Sequence, residues 1–288
     1  MHQLKTATAK ISNIPLQSIS SNKYRVSIIN QINRSNQSSI KKTNIMTKIF
    51  ITLTMALMGL VSSAQVSEKK SISDFTGIDA TDGVEVHYTQ DARASITVEA
   101  NDDATAQNTV VERHGKTLKI YKKSGNSGIV KVCISGSNVS SFKASKGAVI
   151  YTTNEIVGRK VSIDLATDGQ FKGNVKATSM VALNTSSGAM FEGKITTNDL
   201  EGIFKHGSNA KIHGYAKKAD LRCESGAACM AGKLIADSVS AFAENKSAVA
   251  VTVTDSIIAA SDDTSSIKYY GSPITATIDA DSYAMKTN

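Results

Sequence analysis

The chain has 288 residues, 41% hydrophobic and 20% charged, with 19 Gly, 2 Pro, no Trp and a formal charge of +8. These proportions exclude wholesale disorder, a collagen-like repeat and a polytopic membrane protein. Eight of the 33 basic residues lie at or before Lys48, where there is no acid, so the remainder carries 25 bases against 25 acids and offers no net basic footprint for nucleic acid.

Residues 1–45 form a basic, Ser/Asn/Ile-rich leader without a periodic pattern. Met46-Thr47-Lys48 then opens a short basic start. It precedes an apolar run from Ile49 to Val61 and the small residues Ser62-Ser63-Ala64. This is the pattern of a secretory signal over 46–64 with cleavage after Ala64. The run is too short for a transmembrane helix, which needs about 20 residues. The expected translation start is Met46, and the exported chain is expected to begin at Gln65, destined for the periplasm, the outer surface or the medium. No Cys follows the run to carry a lipoprotein anchor.

From Val66 onward helical periodicity gives way to alternation: Val84-x-Val86-x-Tyr88, Ile96-x-Val98, Leu118-x-Ile120, Val161-x-Ile163-x-Leu165. Period two in β-branched residues, bounded by Gly, Asn and Asp, predicts an all-β chain. Residues 66–125 do not repeat, and their longer strands are expected to form an N-terminal β cap. From 126 to 280 the chain repeats. Val161, Val181, Leu200, Leu221, Val239 and Ile257 recur about every 20 residues, as do Phe171, Phe191, Ile212, Met230, Val249 and Tyr269. Glycines 173, 193, 214, 232 and 271 follow the second column, and small residues at 169, 189, 210, 228 and 247 precede it. Val139, Gly147 and Val149 add one slightly longer coil in front of these. Strands and turns at such a period predict a β-solenoid with one coil per repeat, because a single coil cannot bury its apolar face and a stack can. Seven coils at about 4.8 Å make a rod of roughly 34 Å. Asp199, Asp220, Asp237 and Asp255 are expected to bond turns at the coil starts.

The segments Phe75-Thr-Gly77-Ile78, Gly83-Val84-Glu-Val86-His-Tyr88-Thr-Gln90, Ile96-Thr-Val98-Glu-Ala100 and Gly115-Lys-Thr-Leu118-Lys-Ile120 carry a resemblance. With the coils, the Ser187-Gly188-Ala189 and Ser225-Gly226-Ala227 turns and the closing Tyr270-Gly271-Ser-Pro273, the sequence resembles the head GIN domain family of auto-transporter adhesins, common in Bacteroidota, over residues 71–278. The resemblance implies a right-handed, single-stranded β-helix of pectin-lyase-like shape, export, and adhesion to a glycan, matrix or cell-surface protein. It supplies no catalytic residues. A periplasmic polysaccharide lyase or hydrolase, or a structural envelope protein, is the alternative.

Enzymatic glycoside cleavage needs two carboxylates flanking the bond. The adjacent acids are Asp102-Asp103 and Asp262-Asp263. Strand neighbours point to opposite faces, so both pairs read as solvated turns. His87, His114, His206 and His213 lack a zinc-ligand spacing, and no P-loop, dinucleotide fingerprint or Gly-x-Ser-x-Gly elbow occurs. Neither metal nor cofactor is expected. Cys133, Cys223 and Cys229 form no C-x-x-C and are expected to be buried and unpaired. Phe171, Phe191 and Tyr269 are expected inside, leaving Tyr270, Asp262 and Asp263 as candidate binding residues.

Overall fold

The computed structural model describes residues 66–70, 75–123, 128–279 and 282–287. The leader, the 46–64 signal and the Gln65 start lie outside the described residues. The described residues are 69% strand, wound into a β-solenoid of about seven turns.

The architecture is clearest where the repeats are most regular. Met190–Lys205, Asn209–Glu224, Ala228–Glu244 and Ala248–Ser261 each wrap most of a coil and pair in parallel with the next, Met190 with Asn209 through Lys205 with Glu224. Apolar side chains alternate inward at nearly every second position, so stacking closes one continuous core. Ala210, Ile212, Ala216, Leu221 and Cys223, all from one strand, are at most 2% exposed.

Consecutive long strands meet at a left-handed turn. Two successive residues take positive φ in each: Ser187/Gly188, His206/Gly207, Ser225/Gly226 and Asn245/Lys246, at 51° to 75°. The turns also stack, with Gly188 N donating to His206 O at 3.1 Å and Gly226 N to Asn245 O at 2.9 Å. Glycine suits the second position because it enters this region without a Cβ clash. The Ser-Gly-Ala signals at 187–189 and 225–227 are two rungs of this turn stack.

The register differs in detail from the sequence columns. Val181 stacks on Leu200, Ala219, Val239 and Ile257, so Leu221 sits two residues further along and aligns with Gly202 and Ala241. Phe171 and Phe191 continue through Ala210, Cys229, Val249 and Ile267, displacing Ile212 and Tyr269 by two and Met230 by one. A one-residue slip reverses the face, and Met230 is accordingly 43% exposed. The small-residue column is Gly169, Ala189, Ser208, Ala227 and Ser247, each linked to the next coil by a backbone hydrogen bond. Aligning on glycines misplaces the coil at 209–224, because the chain absorbs length irregularities in bulges between Lys211 and His213 and between Ala231 and Ile235.

Core volume is traded between coils. Tyr88, Phe142, Phe171 and Phe191 form a buried ladder with ring centroids 5.4, 5.4 and 5.7 Å apart. Beyond it Phe204 takes the space, and a Cβ on Gly202 would lie 2.7 Å from that ring.

Parallel stacking also extends into the N-terminal segment, out of chain order. Gly77–Ala80 lies between Thr117–Lys122 and Ser141–Ala144, and Glu85–Gln90 between Val130–Gly136 and Val149–Thr152. Ser95–Ala100 runs antiparallel to Val130–Gly136, Val66–Lys70 pairs antiparallel with Ser95–Ala100, and Thr109–His114 pairs with Thr117–Lys122. A five-residue helix, Asp103–Gln107, interrupts them. Asp102 is therefore an N-cap and not a solvated turn, accepting from Thr105 N at 2.7 Å.

Candidate functional site

On a solenoid, the inward positions are spent on the core, so recognition falls to outward ladders one residue removed from it. Three surface regions gather functional side chains.

The first lies beside Tyr270. This residue pairs in register with Thr252 and is half-buried. A Cβ on Gly232 would come within 3.1 Å of its ring, so the glycine leaves room for the aromatic. A groove of about 570 Å³ opens here, lined by Tyr270, Met230, Ala250 and Gly232 together with Lys211, Lys233, His213 and Glu192. The Met230 thioether, assigned to the core by its sequence column, is thus a surface contact.

The second region is acidic. Register sets Glu201 beside Asp220 and Asp199 beside Lys218, and these residues line a groove of about 470 Å³ with Ser238 and Ser240. Sequence inspection for adjacent acids misses this group because a full coil separates Glu201 from Asp220. Arg222 Nε donates to Asp220 Oδ1 at 3.3 Å. Asp220 and Asp237 do not bond their own turns as expected: Asp237 instead accepts from the Tyr215 hydroxyl at 2.6 Å.

The third is the turn carrying Asp262 and Asp263. The Asp262 carboxylate accepts from Asn245 N at 2.6 Å and from Thr264 N and Oγ1 at 3.1 and 3.0 Å. The Asn245 amide, with the Ser265 and Thr264 donors, lowers its pKa to about 2. Asp262 is a strut between successive turns. Asp263 is exposed beside it, and neither lines the groove at Tyr270.

The cysteines are unpaired; Cys223 and Cys229 are buried, whereas Cys133 is half-buried on an outward position. Its thiol donates to Glu99 at 3.8 Å, and burial together with the Glu99 charge pushes its pKa up, the reverse of what a nucleophile needs. His87 lies in register with Cys133 and bonds Glu85, while its ring packs 5.0 Å from that of Tyr151. Among the described residues no group of three or more His, Cys, Asp or Glu is placed to hold a metal ion, and no helix is long and apolar enough to cross a membrane.

The family model described as "Putative auto-transporter adhesin, head GIN domain" matches residues 74–273, more than half of the chain. The chain belongs to this family. A "putative adhesin" from Parabacteroides merdae is similar to this head GIN domain in crystal structure, with a TM-score of 0.69 at 17% identity, covering 78% of this chain and 96% of that one. Another from Parabacteroides distasonis gives 0.69 at 20% identity, covering 77% and 97%. A "putative lipid binding protein" from Parabacteroides distasonis gives 0.62 at 16%, covering 78% and 97%. Identities this low establish the shared fold. No curated protein matches the chain.

Proposed function

We propose that this head GIN domain is an exported, non-catalytic binding module that presents its outer ladders to a glycan, matrix or protein partner at the cell envelope. The observation that carries the reading is the groove lined by Tyr270, Met230 and Ala250 beside lysines, a histidine and a glutamate: apolar surface next to a few polar groups is what a pyranose ring or a peptide side chain requires. The family membership and the adhesin-named structures agree with it. The parallel ladder fixes the backbone beneath every contact, so little ordering is required on binding. The test is binding of the full chain to printed glycans and to matrix proteins, wild type beside Tyr270→Ala. The reading predicts saturable binding that weakens about tenfold in the variant, the scale of one lost stacking contact. Retention of no glycan or protein, or full retention by the variant, would contradict it.

The acidic groove supports a second reading, a polysaccharide-processing enzyme, because it brings Asp199, Glu201 and Asp220 together on one surface. Its mark would be release of reducing or unsaturated ends that Glu201→Gln with Asp220→Asn abolishes.

A further inference from the structure

Formal neutrality conceals a sorting of charge by face. Lys172, Glu192, Lys211, Met230, Ala250 and Lys268 occupy one outward ladder, each in register with the next. Lys194, His213 and Lys233 form a second ladder alongside. Together these place five lysines and a histidine against one acid, whereas Glu201, Asp220, Asp199 and Asp164 lie on other outward positions. Among the described residues the lysine ion pairs are Lys131–Glu99, Lys146–Asp82 and Lys205–Glu224, which leaves the five lysines of this strip without a carboxylate within 4.0 Å. Lys172 lies instead over the Tyr151 ring, 5.6 Å from its centroid. The lysines alternate between the two ladders, Lys172, Lys194, Lys211 and Lys233 standing on four successive coils with Glu192 beside Lys172 and Lys211, so the strip carries an excess of positive charge that an anionic ligand can neutralise. Spacing is set by the coil rise of about 4.8 Å, and five coil steps from Lys172 to Lys268 make a straight strip of roughly 24 Å.

We infer that this strip, with the Tyr270 groove at its centre, binds an acidic polysaccharide, the carboxylate or sulfate groups pairing with Lys211 and Lys233 while a sugar face packs on Tyr270 and Met230. The inference rests on the adhesion reading and narrows its ligand. Regularly spaced cations along a line match a polymer with regularly spaced anions, and a single aromatic with a thioether fits one ring face. A nucleic acid would call for a series of exposed aromatics to stack successive bases. Lysines on a rigid sheet recognise anions as point charges, so the contact is salt-sensitive.

The test uses the full chain with polygalacturonate, hyaluronate and chondroitin sulfate, neutral dextran, and single-stranded DNA of matched charge, read by fluorescence anisotropy. At least one acidic glycan should bind, with affinity falling about tenfold between about 50 and 200 mM salt, as when two or three charges are neutralised. Lys211→Ala with Lys233→Ala should weaken that binding about tenfold without moving the thermal midpoint, and Lys143→Ala, on a different ladder, should leave it unchanged. Dextran bound as tightly as the acidic glycans, unaffected by the double variant, would overturn the inference and leave glycan adhesion standing. DNA bound as tightly as the best glycan would overturn it in favour of a generic polyanion surface. Binding to none of these probes would overturn the inference, and the adhesion reading would then stand or fall on the matrix-protein arm of its own test.

Discussion

Phe191 and Lys194 lie three residues apart, and the structure puts one wholly inside and the other exposed. Phe191→Ala removes a ring stacked 5.7 Å from Phe171 and should cost about 3–5 kcal/mol, whereas Lys194→Ala should change stability by no more than about 0.5 kcal/mol. Denaturant melts of the two variants check the register, and equal losses would show it to be wrong. Tyr88 is fully buried, and its hydroxyl donates to Gly136 O at 2.6 Å; burial pushes its pKa up to about 12. Tyr88→Phe should therefore cost about 1 kcal/mol near neutrality. Because the folded pKa is raised, the stabilisation is complete below pH 10 and is lost as pH rises towards 12, at about 1.4 kcal/mol per pH unit, so the gap between wild type and variant should close and then reverse over that window. Asp262 has the opposite sign. Its carboxylate, held near pKa 2, supports the fold above about pH 4 and loses that support as pH falls through 2. Asp262→Asn should lower the melting temperature at pH 7 and match wild type near pH 2, with glycan binding retained at neutral pH. A melting difference that persists at pH 2 would mean that geometry, not charge, sets the effect.

At the level of the elements, the strands were legible because their pattern is local. Alternation at Val84-Val86-Tyr88, Leu118-Ile120 and Val161-Ile163-Leu165 marks side chains that are all at most 3% exposed. The coil period was legible for the same reason. Which residue stacks on which was less so: unequal coil lengths leave two-residue slips that keep the same face inward, as at Leu221 and Ile212, and only bulge positions decide between them. The turn stack also contains a strained rung. Thr167 and Asp168 take φ of 48° and 60°, and a β-branched residue is a rare occupant of that region. Thr167→Gly should consequently stabilise the protein by about 0.5–1 kcal/mol despite the entropy of glycine, measurable as a raised denaturation midpoint. A lowered midpoint would show that the threonine side chain supports its neighbours by more than its backbone strain.

For the whole molecule, the net charge of the chain from Gln65 onward says nothing about its surface, because winding sorts lysines and carboxylates onto different ladders. That sorting depends on register, which is why Tyr270 could be singled out from its place beside a buried column while Lys211, Lys233 and Met230 could not be joined to it. The acidic cluster of Asp199, Glu201 and Asp220 was hidden for the same reason: its members are neighbours only after a full coil. On the adhesion reading the outer surface binds without transforming what it binds. The most direct measurement incubates the full chain with pectin, chitin and mucin-type glycans, following bound polysaccharide and released reducing or unsaturated ends together, for wild type and for Glu201→Gln with Asp220→Asn. Binding without release, identical in both proteins, is the expected result. Release by the wild type that falls at least about 10²-fold in the variant, the scale of a lost acid–base group, would contradict it and make the acidic groove an active site.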